Sequence, residues 1–288
     1  MKIAIAGSTG FIGKQLTDYL LQNGNEIIII SRKDFFNKDN ELAKLIISAD
    51  VIINLAGSSV LCKWNKKNRD LILSSRVETT RLLVEAVKQN EPLNRPKLFI
   101  NASATGIYSD SGIQDETTAT LNTDFLAQVC KSWEKELLPL EEIQLRYCIV
   151  RTGIVLGTSG GSMAKMLPLF KAGLGGKIST GKQPFSFIHI ADYYRAIKHL
   201  IENPKSSGIY NLVSPEPVTN EIFTKVLASC LHRPAIFTVP EFALKIVYGQ
   251  ASELLTKGVK VIPSHLLNEG FQFKYPDIAS TLADLVQK

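Results

Sequence analysis

Residues 1–13 read MKIAIAGSTGFIG, and this stretch decides the fold. Lys2 to Ala6 is an apolar run closed by Gly7, the mark of a short buried strand. Gly7, Gly10 and Gly13 follow at three-residue steps, and Phe11 to Gln22 continues with helical spacing. A strand, a glycine turn and a helix together present unpaired backbone N–H groups and a positive helix end, which suits a phosphate. Glycine lets the turn bend sharply, lets a pyrophosphate approach the backbone and lets the helix pack close. Because it follows a strand and opens a helix, the pattern predicts a dinucleotide site contacted by Gly7, Thr9, Gly10, Phe11, Ile12 and Gly13.

Outward from there, Glu26 to Ile30 reads as a second strand whose unbroken apolar run fits a sheet covered on both faces. An NAD site places an acidic residue near the end of that strand, for the ribose 2′-hydroxyl. This chain has Ser31, Arg32 and Lys33 there, with Asp34 behind them. A guanidinium at that point favours a 2′-phosphate, so NADP(H) is expected over NAD(H).

A short helix over 41–48 leads to a third strand, 50–55, that ends in NLAG. Leu55, Ala56 and Gly57 fall at its carboxyl end, where a doubly wound sheet receives its ligand. A long helix over 65–89 carries an apolar face, and its Arg69, Arg76 and Arg81 read as solvated. The fourth strand, 97–101, runs into ASATGIYSD, a loop bearing Ala102 and the hydroxyls of Ser103, Thr105 and Tyr108. These hydroxyls suit a substrate carbonyl or a nicotinamide, and Ser and Thr are also ordinary turn formers. A helix over 121–138 precedes a fifth strand, 146–151, that ends at Arg151. Strict strand–helix alternation implies a parallel sheet with right-handed crossovers.

After Thr152 the rhythm changes. A glycine-rich loop, a helix over 163–171 and a second glycine cluster lead to a short strand with His189, and Asp192 is placed to cap the next helix. His189 reads either as an acid or base or as a packed structural imidazole. A strand over 209–213 and helices over 220–231 and 240–255 follow, separated by proline-bounded turns. The fold class expected is α/β: a Rossmann-type doubly wound parallel sheet with a smaller, mostly helical C-terminal substrate domain.

The chain's 288 residues include 33 Lys and Arg against 27 Asp and Glu, a net charge of +6. That balance suits an anionic small ligand and is too dispersed for nucleic acid. No apolar run is long enough to span a membrane, and the apolar N-terminus is a strand rather than a signal peptide. Cys62, Cys130, Cys148 and Cys230 lack C-x-x-C or metal-ligand spacing. They read as reduced thiols, so a cytoplasmic, metal-free protein is expected.

The sequence resembles the extended short-chain dehydrogenase/reductase superfamily in GSTGFIG, NLAG, the serine loop after the fourth strand, VRTGIVLG and FIHIAD. More narrowly, LILSSRVETTRLLVEAV, Asp115–Glu116, DFLAQVCKSWEKE and the closing GFQFKYPDIASTLADLV resemble its atypical "epimerase family protein" branch. The resemblance implies an NAD(P)-binding domain over 1–155, completed by a sheet segment near 187–213. It implies substrate-side segments over 156–237 and a family-specific C-terminal domain over 238–288. It also implies a catalytic Ser after the fourth strand, matched by Ser103 or two residues on by Thr105, and a Tyr-x-x-x-Lys on the next helix. The latter is absent: Leu126 and Cys130, or Ala127 and Lys131, stand in its place. If the chain does chemistry, Tyr108 is the first candidate acid and His189 the second, with a small molecule as partner. Pairing into a homodimer stays open. An NADPH-binding regulator without turnover is the competing expectation.

Overall fold

The computed structural model describes residues 1–36, 41–117 and 119–287; residue 288, at the end of the expected C-terminal domain, lies outside them. Its centre is a six-stranded parallel sheet made of β1 (Lys2–Ala6), β2 (Glu26–Ile30), β3 (Val51–Asn54), β4 (Leu98–Ala104), β5 (Tyr147–Thr152) and β6 (Gly208–Leu212). The spatial order is β6-β5-β4-β3-β1-β2, which reverses direction between β1 and β3. A crevice opens at such a reversal, outside the carboxyl ends of the strands.

Both faces are covered. Ile3, Ile5, Ile53, Ile100 and Val150 form one core with Leu16 and Leu20 of helix α1 (Phe11–Gln22) and Ile197 and Leu200 of a later helix, Ile190–Glu202. On the other face Ala4, Ile52, Phe99 and Ile149 pack with α2 (Glu41–Ile46) and with Leu83 and Val87 of α3 (Lys66–Gln89). Burying one such aliphatic side chain is worth about 1.5–3 kcal/mol, so a one-residue slip that exchanged the faces would be heavily penalised.

Several boundaries differ from the sequence reading. β4 continues to Ala104 because Ser103 and Ala104 pair in register with Arg151 and Thr152, so Ser103 lies on a strand, not in a loop. The next helix, α4 (Phe125–Lys135), starts late because Asp124 caps it, accepting from the Ala127 amide. The helix expected over 240–255 is broken: Gly249 at φ +61° ends Glu241–Tyr248, and a single turn, Gly249–Ser252, leads to Glu253–Thr256. The C-terminal region is nonetheless helical and closes with Ile278–Gln287. Among the described residues no helix is long and apolar enough to cross a membrane, and no group of three His, Cys, Asp or Glu is placed to hold a metal. The four cysteines are free thiols.

The FIHIAD stretch turns out to dock the closing segment. Asp192, expected as a cap, instead accepts from the Lys274 and Tyr275 amides at 2.9 and 2.7 Å and from Arg195 at 2.6 Å. His189 takes the capping role, its Nδ1 accepting from the Ala191 amide at 3.0 Å. That leaves the proton on Nε2, which faces Asp284 Oδ2 at 3.3 Å, while the ring lies 3.9 Å from the Tyr275 ring. His189 is 2% exposed. Its geometry is that of a structural imidazole, which corrects its candidacy as an acid or base.

Glu269 makes a second anchor, accepting from Ser206, Tyr210, His199 and Asn203 at 2.5 to 3.1 Å. Partial burial works to raise its pKa, but these donors outweigh burial and the pKa is lowered. The resulting stability is complete above the pKa of an unfolded glutamate, about 4.3, and drains as the pH falls through the lower folded value. Urea unfolding should therefore show Glu269→Gln clearly less stable than the parent near about pH 6, with the gap closing near about pH 3. A gap that does not change with pH would disprove the anchor's charge dependence.

Candidate functional site

The glycine turn is held by contacts that exclude a side chain. Gly7 adopts φ +82°, and a Cβ on it would stand 2.7 Å from the Leu55 carbonyl. A Cβ on Gly13 would meet the Gly7 carbonyl oxygen at 2.1 Å. α1 therefore rests directly on the end of β1, which rests on the loop after β3. Gly10 is the N-cap and supplies no side-chain oxygen, so the first amides of the helix keep their donors for a ligand. Thr9 and Gly10 are exposed at the tip, while Phe11 and Ile12 are half buried. The Phe11 ring fills the glycine-rich loop after 156: a Cβ on Gly157, Gly160 or Gly161 would fall within 3.0 Å of it.

After β2, Ser31 and Arg32 are exposed. Ser31 donates its amide and hydroxyl to Asp34 at 2.6 and 2.7 Å, so the Asp34 carboxylate is engaged and Arg32 is left facing solvent. After β3, Leu55 donates its amide to the Ala6 carbonyl at 2.9 Å, and Ala56 donates to Asn54 Oδ1 at 3.1 Å. Gly57 is exposed beside them. Ala102 packs on the α1 side of the sheet, half buried.

Ser103 points to the opposite face, toward α4. It donates to Glu134 Oε1 at 2.6 Å, and Arg151 binds the same carboxylate through Nε at 2.9 Å and Nη2 at 2.7 Å. Arg151 Nη1 donates to the Tyr108 hydroxyl at 3.0 Å, which in turn donates to Asn211 Oδ1 at 2.7 Å. Two expectations change here. Arg151, expected at the cofactor, is 4% exposed and acts as countercharge to Glu134. Burial works against its charge, yet Glu134 outweighs burial and raises its pKa. Tyr108, expected to face the cleft, is fully buried, with its hydroxyl spent on Asn211 and its pKa raised by burial.

The model of the NAD dependent epimerase/dehydratase family matches residues 3–212, and a domain of unknown function (DUF1731) matches 239–285. The chain belongs to the NAD-dependent epimerase/dehydratase family. It is 35% identical over 300 residues to the epimerase family protein YfhF of Bacillus subtilis (strain 168), covering 99% of this chain and 98% of that one. The crystal structure of human epimerase family protein SDR39U1 with NADPH superposes with a TM-score of 0.89 at 31% identity, covering 100% of both chains. A nucleoside-diphosphate sugar epimerase from Corynebacterium glutamicum gives 0.79 at 31% identity, over 99% of this chain and 58% of that one.

On α4, Cys130 faces the end of β4, its Sγ 4.0 Å from the Ala104 carbonyl. Burial, then the neighbouring Glu134, push the Cys130 thiol up to about 11. Lys131 turns away and donates to the Asn122 carbonyl at 2.6 Å.

One residue the sequence reading set aside lies beside the loop after β3. Arg76, read there as solvated, folds back to donate to the Ile72 and Ser58 carbonyls, each at 3.0 Å, beside Gly57. No periodic signal marks it, because its spacing on α3 is that of a half-exposed position.

Removing the Tyr108 hydroxyl would leave Asn211 Oδ1 without its donor and Arg151 Nη1 without its acceptor. Tyr108→Phe should therefore cost about 1–3 kcal/mol in urea unfolding, while NADPH affinity stays within about threefold, under 0.7 kcal/mol. Unchanged stability would show that the hydroxyl is not structural.

Proposed function

We propose that this chain is an NADP(H)-dependent oxidoreductase or epimerase-like enzyme acting on a small carbonyl or nucleotide-linked substrate. The observation that carries the reading is the glycine turn: Gly7 and Gly13 without room for a Cβ, a helix N-terminus without a side-chain cap, and the reversal of the sheet at the same point. Gly7, Thr9, Gly10, Phe11, Ile12 and Gly13 would hold the pyrophosphate, and Leu55, Ala56, Gly57 and Ala102 would flank the nicotinamide half. Bound NADPH supplies the hydride.

The preference for NADP(H) rests on Arg32, whose charge is exposed at the end of β2, and on Asp34, whose carboxylate Ser31 already occupies. The human relative whose structure contains NADPH supports it. Ser103, at the end of β4, is the proposed hydroxyl beside the reacting centre, oriented through Glu134.

A second reading, a cofactor-binding regulator without turnover, is favoured by the absence of Tyr-x-x-x-Lys from α4 and by the burial of Tyr108. Offering NADPH-loaded protein a panel of carbonyl compounds and sugar nucleotides separates the two. Slow oxidation of NADPH supports the enzyme, and a cofactor left reduced throughout supports the regulator.

Fluorescence titration tests the cofactor directly. NADPH should bind at least about tenfold more tightly than NADH, the yield of one charge-assisted contact, and Arg32→Ala should remove most of that difference. Equal affinities in the parent protein would overturn the role of Arg32 and leave the glycine turn standing.

A further inference from the structure

Arg76 carries a charge that nothing described so far uses. Its side chain leans toward the N-terminus of α3, as helical side chains do, and Trp133 lies under the guanidinium at 5.3 Å to the ring centroid. Trp133 is itself fixed, donating Nε1–H to Thr80 Oγ1 at 2.7 Å, and Thr80 is tied to Asn54 at the end of β3 and Asn101 in the middle of β4. The guanidinium is therefore held in place before any ligand arrives.

Two backbone carbonyls take only part of its five N–H donors. Among the described residues no carboxylate stands within ion-pair distance of it, whereas Arg151, deeper on the same face of the sheet, has Glu134. A largely buried cation without a countercharge is unfavourable until an oxygen-bearing partner reaches it. The way in is open at Gly57: a Cβ there would stand 3.0 Å from Cζ, 3.1 Å from Nη2 and 3.3 Å from Nε. Gly57 is exposed, so the flank of the guanidinium borders the crevice across a residue with no side chain.

The sheet order says which part of a dinucleotide passes there. β2, β1, β3 and β4 are successive neighbours, each about 4.8 Å from the next. Arg32 stands at the end of β2, the phosphate turn at the end of β1, Gly57 after β3 and Ser103 at the end of β4. A dinucleotide that runs from Arg32 across the glycine turn toward Ser103 carries its nicotinamide-side ribose over the end of β3.

We propose that Arg76 binds the nicotinamide-side ribose of the cofactor and the phosphate attached to it, through the flank it turns toward Gly57. The inference rests on the NADP(H) reading above.

The test compares two probes by calorimetric titration: NADPH, and adenosine 2′,5′-bisphosphate, which has the adenosine half and lacks the nicotinamide side. Arg76→Gln should weaken NADPH by about 10- to 100-fold and change the bisphosphate by less than about threefold. Arg76→Lys should recover part of the loss. Gly57→Ala, which puts a methyl in front of an intact guanidinium, should weaken NADPH selectively as well, so the proposal does not depend on one variant. NADPH affinity unchanged in Arg76→Gln would overturn it and leave the charge to a substrate anion. Equal weakening of both probes, with a lowered melting temperature, would overturn it in favour of a strut for the 57–58 backbone. If the parent protein binds neither probe, the cofactor reading falls first and takes this inference with it.

Discussion

The close approach of three backbone segments sets the rest of the structure. Gly13 leaves no gap between α1 and the Gly7 carbonyl, and Gly7 leaves none between β1 and the loop after β3. Any Cβ at either point would force the helix off the strand or split β1 from β3, because cores at crystal density have no slack to absorb such a shift. The same contacts aim the first amides of α1 along the sheet edge. Binding geometry and packing therefore share one cause, and a larger residue would damage both together.

Beneath the crevice, two polar webs hold α3 and α4 against the strands. Asn54, Asn101, Thr80 and Trp133 satisfy one another inside the core, and the Ala56 amide hangs from the same Asn54. Ser103, Glu134, Arg151, Tyr108 and Asn211 form the second web. A buried ion pair adds little stability over an apolar pair, but removing one partner costs about 3–5 kcal/mol. These webs act less as glue than as locks: Ser103 and the 55–57 backbone are left with one well-satisfied arrangement.

Local signals in the sequence carried most of the fold. β1, α1 and β2 have the boundaries their residue spacing predicts, since a period of two or 3.6 and a glycine turn are written within a few residues. Function was less legible where a side chain finds its partner far along the chain. Tyr108 meets Asn211 across 103 positions and Asp192 meets Tyr275 across 83, so loop and cap readings based on neighbours assigned each the wrong task. Short ladders such as Gly176–Ile178 with Phe237–Val239 span too few residues to show a period. Arg76 failed for another reason: arginine at a half-exposed helical position is usually solvated, and only the direction of its side chain brings it onto the 57–58 backbone.

The missing Tyr-x-x-x-Lys therefore has a definite physical meaning. A proton donor beside a reacting oxygen needs an exposed, transferable hydrogen and a pKa near the working pH. Tyr108 is sealed away with its pKa raised, the Cys130 thiol is pushed up to about 11, and the Ser103 hydroxyl is directed at Glu134. The described residues around β4 are thus firmly oriented but poorly set up to move protons. Electrostatics can carry part of that burden, because donors fixed in advance stabilise a developing oxyanion without reorganising. In this chain the glycine turn keeps its unblocked helix N-terminus, while the polar side chains around the end of β4 are committed to one another rather than free to exchange protons.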